Sequence, residues 1–376
     1  MKSRKIGIKK ILIATYLERH LKKMLPIIRG LESRPDVILK VLLLTAAEWK
    51  LAEEAGIPYS KFDEYTGRKR RGDFDLEWGL EPLINAIDKE RPDLFLAIEV
   101  NFILRNAVRH CKRLGIKTLI VQHGTPNRYS LHAFVPFEAD CFAAWGNFTK
   151  EFLVSNGVEP KKILVTGGPV FDGTISLKPD RGKIMKQLGI DRAVEKLIVF
   201  TLQGIGPGNC PSAEEIQTAI VETARAASSY GNSILLVFQV HPSHGTDDTK
   251  NIINGINAEN SIVVKYPDTE SLMAASDGVI TFFSTTAIDA LILDKPLLLI
   301  NLTDDKDFYP FVPMGAAFGA YAPKEIGPAF LRLIDAPDEL QEGRKRAVPY
   351  MVYKTDGKSL ERVMNLINSL LRKEMV

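Results

Sequence analysis

Short runs of aliphatic and β-branched residues recur along this chain with a helical segment between successive runs, and that alternation restricts the fold more than any other feature. Residues 11–15, 37–44, 94–98, 118–121, 141–145 and 163–165 read as strands in the first half. Residues 197–201, 234–240, 262–264, 279–283 and 297–300 read as strands in the second. Parallel strands need long crossovers, so strands separated by helices predict parallel sheets with helices on both faces, and two such series predict two Rossmann-like domains. Residues 171–181 lack periodicity and contain Gly173 and Pro179, which places the linker there. The chain closes on expected helices over 325–334, 337–346 and 358–372.

Composition narrows the function. A length of 376 residues suffices for two domains, and a net charge of +3 is too small to require a nucleic-acid partner. Arg68, Lys69, Arg70 and Arg71 form the one basic run, read either as a contact for an anionic membrane surface or acceptor, or as a solvated loop. Three cysteines without metal-ligand spacing argue against both a disulfide framework and a zinc site. The basic start precedes only a short apolar run, and no segment reaches the roughly 18 apolar residues of a membrane span. These features predict a cytoplasmic protein, at most peripheral on the inner face of the membrane.

In open parallel sheets ligands collect at the carboxyl ends of strands, so the residues that follow strands deserve inspection. Gln122-His123-Gly124-Thr125 follows one such strand, with His123 either a general base or a hydrogen-bonded structural group, and Gly124 a site of sharp turning or close approach. Glu99 faces the same end as a second candidate base or acceptor contact. Gly204-Ile-Gly206-Pro-Gly208 reads as a phosphate cradle or a plain loop, and its spacing is not the dinucleotide fingerprint. His241-Pro242 ends another strand and can donate to phosphate. Ser284, Thr285 and Thr286 open a helix, with Ser284 the expected N-cap, and Asp289 lies five residues on, within reach of ribose hydroxyls. That stretch reads as an anion site or as an ordinary capped helix. Asp304, Asp305 and Asp307 bind donor hydroxyls or a metal, or form a solvated acidic loop. His20, His110 and His132 read as surface or core filler.

Several of these segments resemble known families. Val121-Gln-His-Gly-Thr-Pro resembles the W-H-G-T-P segment of CDP-glycerol glycerophosphotransferases, and His241-Pro242 resembles the H-P motif those enzymes share with bacterial capsule polysaccharide transferases. Ser284-Thr-Thr-Ala-Ile-Asp-Ala-Leu is similar to the S-T-x-G-x-E-A-L segment of the capsule group, and Val165-Thr-Gly-Gly-Pro-Val-Phe-Asp172 to a V-T-G-N-P-x-F-D segment closing the first domain. The chain departs from these patterns in lacking Trp before His123, in Asp289 where Glu is usual, and in Gly168 where Asn is usual.

The resemblance implies a GT-B α/β architecture of two facing Rossmann-like domains with parallel sheets. An acceptor domain would span residues 1–173, a nucleotide-donor domain 174–357, and a C-terminal crossover helix 358–376 would pack back on the first. It implies a metal-independent transferase of surface polysaccharide biosynthesis that moves a glycosyl or polyol-phosphate group from a CDP-, CMP- or UDP-linked donor to a glycan or lipid-linked acceptor. His123 would be the catalytic base with Glu99 beside it, and Gln122, Gly124 and Thr125 would meet the acceptor. Gly204, Gly206, His241, Ser284, Thr285 and Thr286 would hold the donor phosphates, and Asp289 the ribose. The alternatives are a non-hydrolysing UDP-N-acetylglucosamine 2-epimerase, whose paired glutamates would fall at Ile288-Asp289, and a non-catalytic nucleotide-binding scaffold.

Overall fold

The computed structural model describes residues 7–66, 76–98, 102–204, 211–241, 244–303 and 307–372. The chain divides into two compact units, Met1–Asp172 with Val352–Val376, and Gly173–Met351. Glu99, Gly206, the basic run Arg68 to Arg71, and Asp304 and Asp305 lie outside the described residues.

The first unit holds a seven-stranded sheet built from β1 (Lys9–Thr15), β2 (Val37–Leu43), β3 (Ser60–Lys61), β4 (Leu94–Ala97), β5 (Lys117–Val121), β6 (Cys141–Ala144) and β7 (Ile163–Val165), in the order β3-β2-β1-β4-β5-β6-β7. Every pairing is parallel. Because side chains alternate across a strand, Leu12 and Ala14 pack to one face with Phe95, Ile120 and Phe142, while Ile11 and Ile13 pack to the other with Leu94, Leu96 and Leu119. The last helix, Ser359–Arg372, belongs to this second face, which it covers with Val363, Leu366, Ile367, Leu370 and Leu371 at helical spacing.

The second unit repeats the design with six strands, β8 (Lys196–Thr201), β9 (Ile234–Gln239), β10 (Ser261–Val264), β11 (Gly278–Thr281), β12 (Leu297–Ile300) and β13 (Phe318–Ala320), in the order β10-β9-β8-β11-β12-β13. All are parallel. Strand order reverses at β1 in one sheet and at β8 in the other, and the crevice at that reversal is where ligands bind in open α/β sheets.

Two edge strands escape the sequence reading, and both have a local cause. β3 is a polar two-residue pairing, and β13 carries Gly319 in its middle. Within residues 171–181, read as a linker, the division between the two units falls after Asp172, and the segment holds a short helix, Phe171–Ile175, and the first residue of another, Arg181–Gln187, which the Asp180 carboxylate caps by accepting from the Lys183 amide.

The helix Ala46–Ala55 begins on a buried carboxyl. Glu48 is fully buried, and its Oε2 accepts from the amides of Leu44 (3.2 Å) and Thr45 (3.0 Å) and from the Thr45 hydroxyl (2.9 Å). Burial pushes the carboxyl up to about 7, against the pull of those donors. A pKa raised by folding contributes stability below the unfolded value that is lost as pH rises through 7. Glu48→Gln, which removes the titration, is therefore expected to gain roughly 3 kcal/mol relative to the native chain between pH 4.5 and pH 8. Paired thermal melts at the two pH values check this, and a constant difference would refute it.

Candidate active site

His123 stands at the carboxyl end of β5, one strand from the reversal. Its Nδ1 lies 3.0 Å from the carbonyl of Ile98, the residue that follows β4. A carbonyl only accepts, so Nδ1 carries the proton and Nε2 is left as the basic atom. The Lys23 ammonium donates to the His123 backbone carbonyl at 2.5 Å and sits 5.8 Å from the centre of the Trp145 ring. Burial, then Lys23 and Arg19, push the imidazole down to about 4 in spite of the Ile98 bond, so it is neutral at physiological pH. Thr125 holds a buried hydroxyl with no hydrogen-bond partner among the described residues.

Two neighbours of His123 behave otherwise than expected. Gln122 is 3% exposed, and its carboxamide is used internally. It accepts from the Trp145 amide (2.7 Å) and donates to the Gly124 carbonyl (3.0 Å) and the Thr149 hydroxyl (2.9 Å), so it braces the turn. At Gly124 a Cβ would meet nothing within 4 Å and φ is not positive, so neither crowding nor backbone conformation requires glycine there.

The segment from Val165 to Asp172 packs tightly against Trp145 and the start of the last helix. A Cβ on Gly168 would come within 2.8 Å of the Trp145 and Phe171 rings, so the asparagine usual in the similar motif has no room beside this tryptophan. The Asp172 carboxylate accepts from the amides of Ser359 (3.2 Å) and Leu360 (2.9 Å) and caps the last helix.

In the second unit the reversal lies between β8 and β11. Gly204 lies just beyond β8, and a Cβ there would fall 3.2 Å from the ring of His241, two residues beyond the end of β9, so glycine permits the imidazole to lie against the backbone. His241 is exposed, with its ring 5.9 Å from that of His244. Gln203, which the sequence did not single out, joins the two strand ends, since its Oε1 accepts from the Phe283 amide at 3.0 Å.

The hydroxyl trio after β11 divides its roles. The helix runs Thr286–Ile292 with Thr285 in the cap position and no side-chain capping bond, so it starts later than expected from Ser284. Ser284 Oγ nonetheless accepts from the Thr286 amide at 3.3 Å. Thr286 turns inward, its hydroxyl 3.2 Å from that of Thr201 and 3.4 Å from that of Thr281, because β8 and β11 pair in register at those two threonines. Ser284, Thr285 and Thr286 are all half-buried. Asp289 is half-buried on the first turn of the same helix.

Asp307 departs from a solvated loop. It accepts from Asn301 (2.9 Å) and from the Tyr321 hydroxyl (2.6 Å) and ties the ends of β12 and β13 together. Among the described residues no group of three or more His, Cys, Asp or Glu side chains is placed to hold a metal ion.

Comparison with solved structures identifies the architecture as GT-B-like. S. aureus MnaA in a co-structure with UDP has a TM-score of 0.70 at 18% identity, over 97% of each chain. A UDP-GlcNAc 2-epimerase from Neisseria meningitidis, bound to UDP-GlcNAc, scores 0.68 at 17% identity over 96% of this chain and 100% of its own. A glycosyltransferase from Rickettsia africae scores 0.63 at 13% identity over 98% and 99%. No curated protein is significantly similar to the chain in sequence. The model of one family, described as CDP-Glycerol:Poly(glycerophosphate) glycerophosphotransferase, matches residues 147–369, which include His241, Ser284 and Asp289 and leave His123 upstream. With more than half of its length matched, the chain belongs to the CDP-glycerol:poly(glycerophosphate) glycerophosphotransferase family of enzymes.

Proposed function

We propose that this enzyme transfers a polyol-phosphate or glycosyl group from a CDP-, CMP- or UDP-linked donor to a glycan or lipid-linked acceptor, with His123 as the base. The observation that carries the reading is the single tautomer imposed on His123, whose Nδ1 is committed to Ile98 and whose Nε2 is basic, at a strand end near the sheet reversal.

For polyol-phosphate transfer, Nε2 accepts the proton of the acceptor hydroxyl as its oxygen bonds to the donor phosphorus. The bond from that phosphorus to the leaving nucleoside monophosphate breaks, and the monophosphate departs with the electron pair. His241, Ser284 and Thr285 supply donors to the leaving phosphate, Gly204 makes room for the His241 ring, and Asp289 takes the ribose. The reading assigns charge stabilisation to side-chain donors rather than to a metal. Burial first, then Lys23 and Arg19, hold His123 well below neutrality in the free protein, and an anionic substrate beside the two cations offsets their share and raises the base toward working pH.

The buried free thiols of Cys111 and Cys141, pushed up to about 12 and about 11 by burial, suit a reducing compartment, so the same reading puts the enzyme in the cytoplasm. Among the described residues no helix is long and apolar enough to cross a membrane. The epimerase alternative is disfavoured by Ile288, a buried aliphatic residue where the paired glutamates would require a carboxylate.

Thermal melts with CDP, CMP, UDP, GDP and their glycerol or sugar conjugates test the donor site. A cognate nucleotide at 100 times its Kd is expected to add about 2.7 kcal/mol, and His241→Ala to remove most of that gain. No shift with any nucleotide would remove the donor site from the account.

A further inference from the structure

We propose that His20 is a positioning residue for His123, packing against its ring so that Nδ1 stays on Ile98 and Nε2 stays available. The inference rests on the reading of His123 as the acceptor's base.

His20 lies in the first turn of the helix Glu18–Glu32, which starts just after β1 at the reversal of the first sheet. It is 0% exposed, whereas histidine is on average only intermediate in burial. Its ring centre is 4.9 Å from that of His123 at 59°, and 4.9 Å from that of Tyr16 at 85°. Tyr16, His20 and Lys23 follow at i, i+4 and i+7, so one side of the turn and helix presents all three.

His123 is thereby held at three points. Ile98 takes Nδ1, Lys23 takes the backbone carbonyl, and His20 lies against the ring. The third point has its own physical purpose. The χ2 torsion of histidine is soft and roughly two-fold, so one hydrogen bond leaves the ring able to flip and exchange its nitrogens. A packed neighbour restricts the ring plane and keeps water away. Among the described residues, the titratable groups that act on His123 are His20, Lys23 and Arg19, all from this helix, and burial drives His20 down to about 2. His20 therefore adds no charge near neutral pH, and its effect is one of packing.

Imidazole nitrogen NMR of the full chain without substrate, on the native protein, His20→Phe and His20→Ala, tests the positioning. The native protein and His20→Phe should show His123 as one Nδ1–H tautomer that stays neutral down to about pH 5, whereas His20→Ala should show mixed tautomers and a midpoint displaced toward the ordinary value near 6.5. An unchanged His123 in His20→Ala, or a loss of the single tautomer in His20→Phe as well, would overturn the proposal. Where His20→Ala fails to fold, His20→Val, which also removes the ring from beside His123, takes its place with the same expected outcome.

Rates separate this inference from the reading beneath it. His20→Ala should lower kcat about a hundredfold with a new acid limb, KM for the donor unchanged, and His20→Phe should restore kcat to within a few-fold. Altered spectra with unaltered kcat would sink His123 as the base, while unaltered spectra would sink the positioning.

Discussion

His123→Ala is expected to lower kcat for transfer about a thousandfold while KM for the nucleotide donor stays within a few-fold. A positioned base contributes roughly 10²–10⁴ to such a step, and the alanine removes the only atom assigned to take the acceptor's proton. The residues assigned to the donor, Gly204, His241, Ser284, Thr285 and Asp289, belong to the other unit, so donor affinity should survive the substitution. With the free imidazole near 4, kcat/KM of the native enzyme should also be flat from about pH 5.5 to 8, where His123 is already neutral. A His123→Ala enzyme with undiminished kcat would show that another group carries the proton. A large rise in donor KM with kcat unchanged would make His123 a binding residue instead.

Gly343→Ala should be among the most damaging single-methyl changes available to the second unit. Gly343 opens the helix Gln341–Val352 against the loop turn at Gly315, and an added Cβ would fall 1.9 Å from the Gly315 carbonyl oxygen and 2.5 Å from the Ala316 amide nitrogen. Both are backbone atoms. The turn itself is fixed by the amides of Gly315 and Ala316, which donate to Val312 and Phe311, and Arg346 donates to the neighbouring Met314 carbonyl at 2.9 Å. Neither side can yield locally, so the helix start must separate from the loop. The expected loss is about 3 kcal/mol, at the upper end for overpacking, or a fall in Tm of about 6–12 °C for a unit of this size. Gly255→Ala is the control, at an exposed helix position of the same unit with nothing within 4 Å of the new methyl. Equal melting of the two variants would contradict the packing described for Gly343.

Much of this architecture was legible because its main strands are buried on both faces. Runs such as residues 11–14 and 197–200 are apolar throughout, and neither a surface helix nor a loop carries such a run. The edge strands were not legible, since β3 and β13 are paired by position in the sheet rather than by composition. The site divides the same way. His123, Gly204 and His241 could be found because ligands gather at strand ends, which sequence order reveals. The partnership of His20 with His123 could not, because it depends on β1, β4 and β5 lying side by side, with the helix after β1 folding over that end. Direction was also hidden. Thr286 looks like a ligand hydroxyl in the sequence, yet the register of β8 with β11 turns it to Thr201 and Thr281. Gln122 likewise faces inward to Trp145 and Thr149. Asp172 was visible as part of a motif, but its partners at the start of the last helix are remote in sequence.

The central claim is group transfer from a nucleotide donor with His123 as the base, and product identity tests it most directly. Purified enzyme incubated with isotopically labelled CDP-glycerol and with UDP-sugars, each with a lipid-linked glycan acceptor, should move label into the acceptor and release one nucleotide per group transferred. The nucleotide should be CMP for glycerophosphate transfer or the diphosphate for sugar transfer, and His123→Ala should abolish most of the release. Inversion at C2 of a UDP-sugar without loss of nucleotide, or acceptor labelling that persists in His123→Ala, would contradict the account.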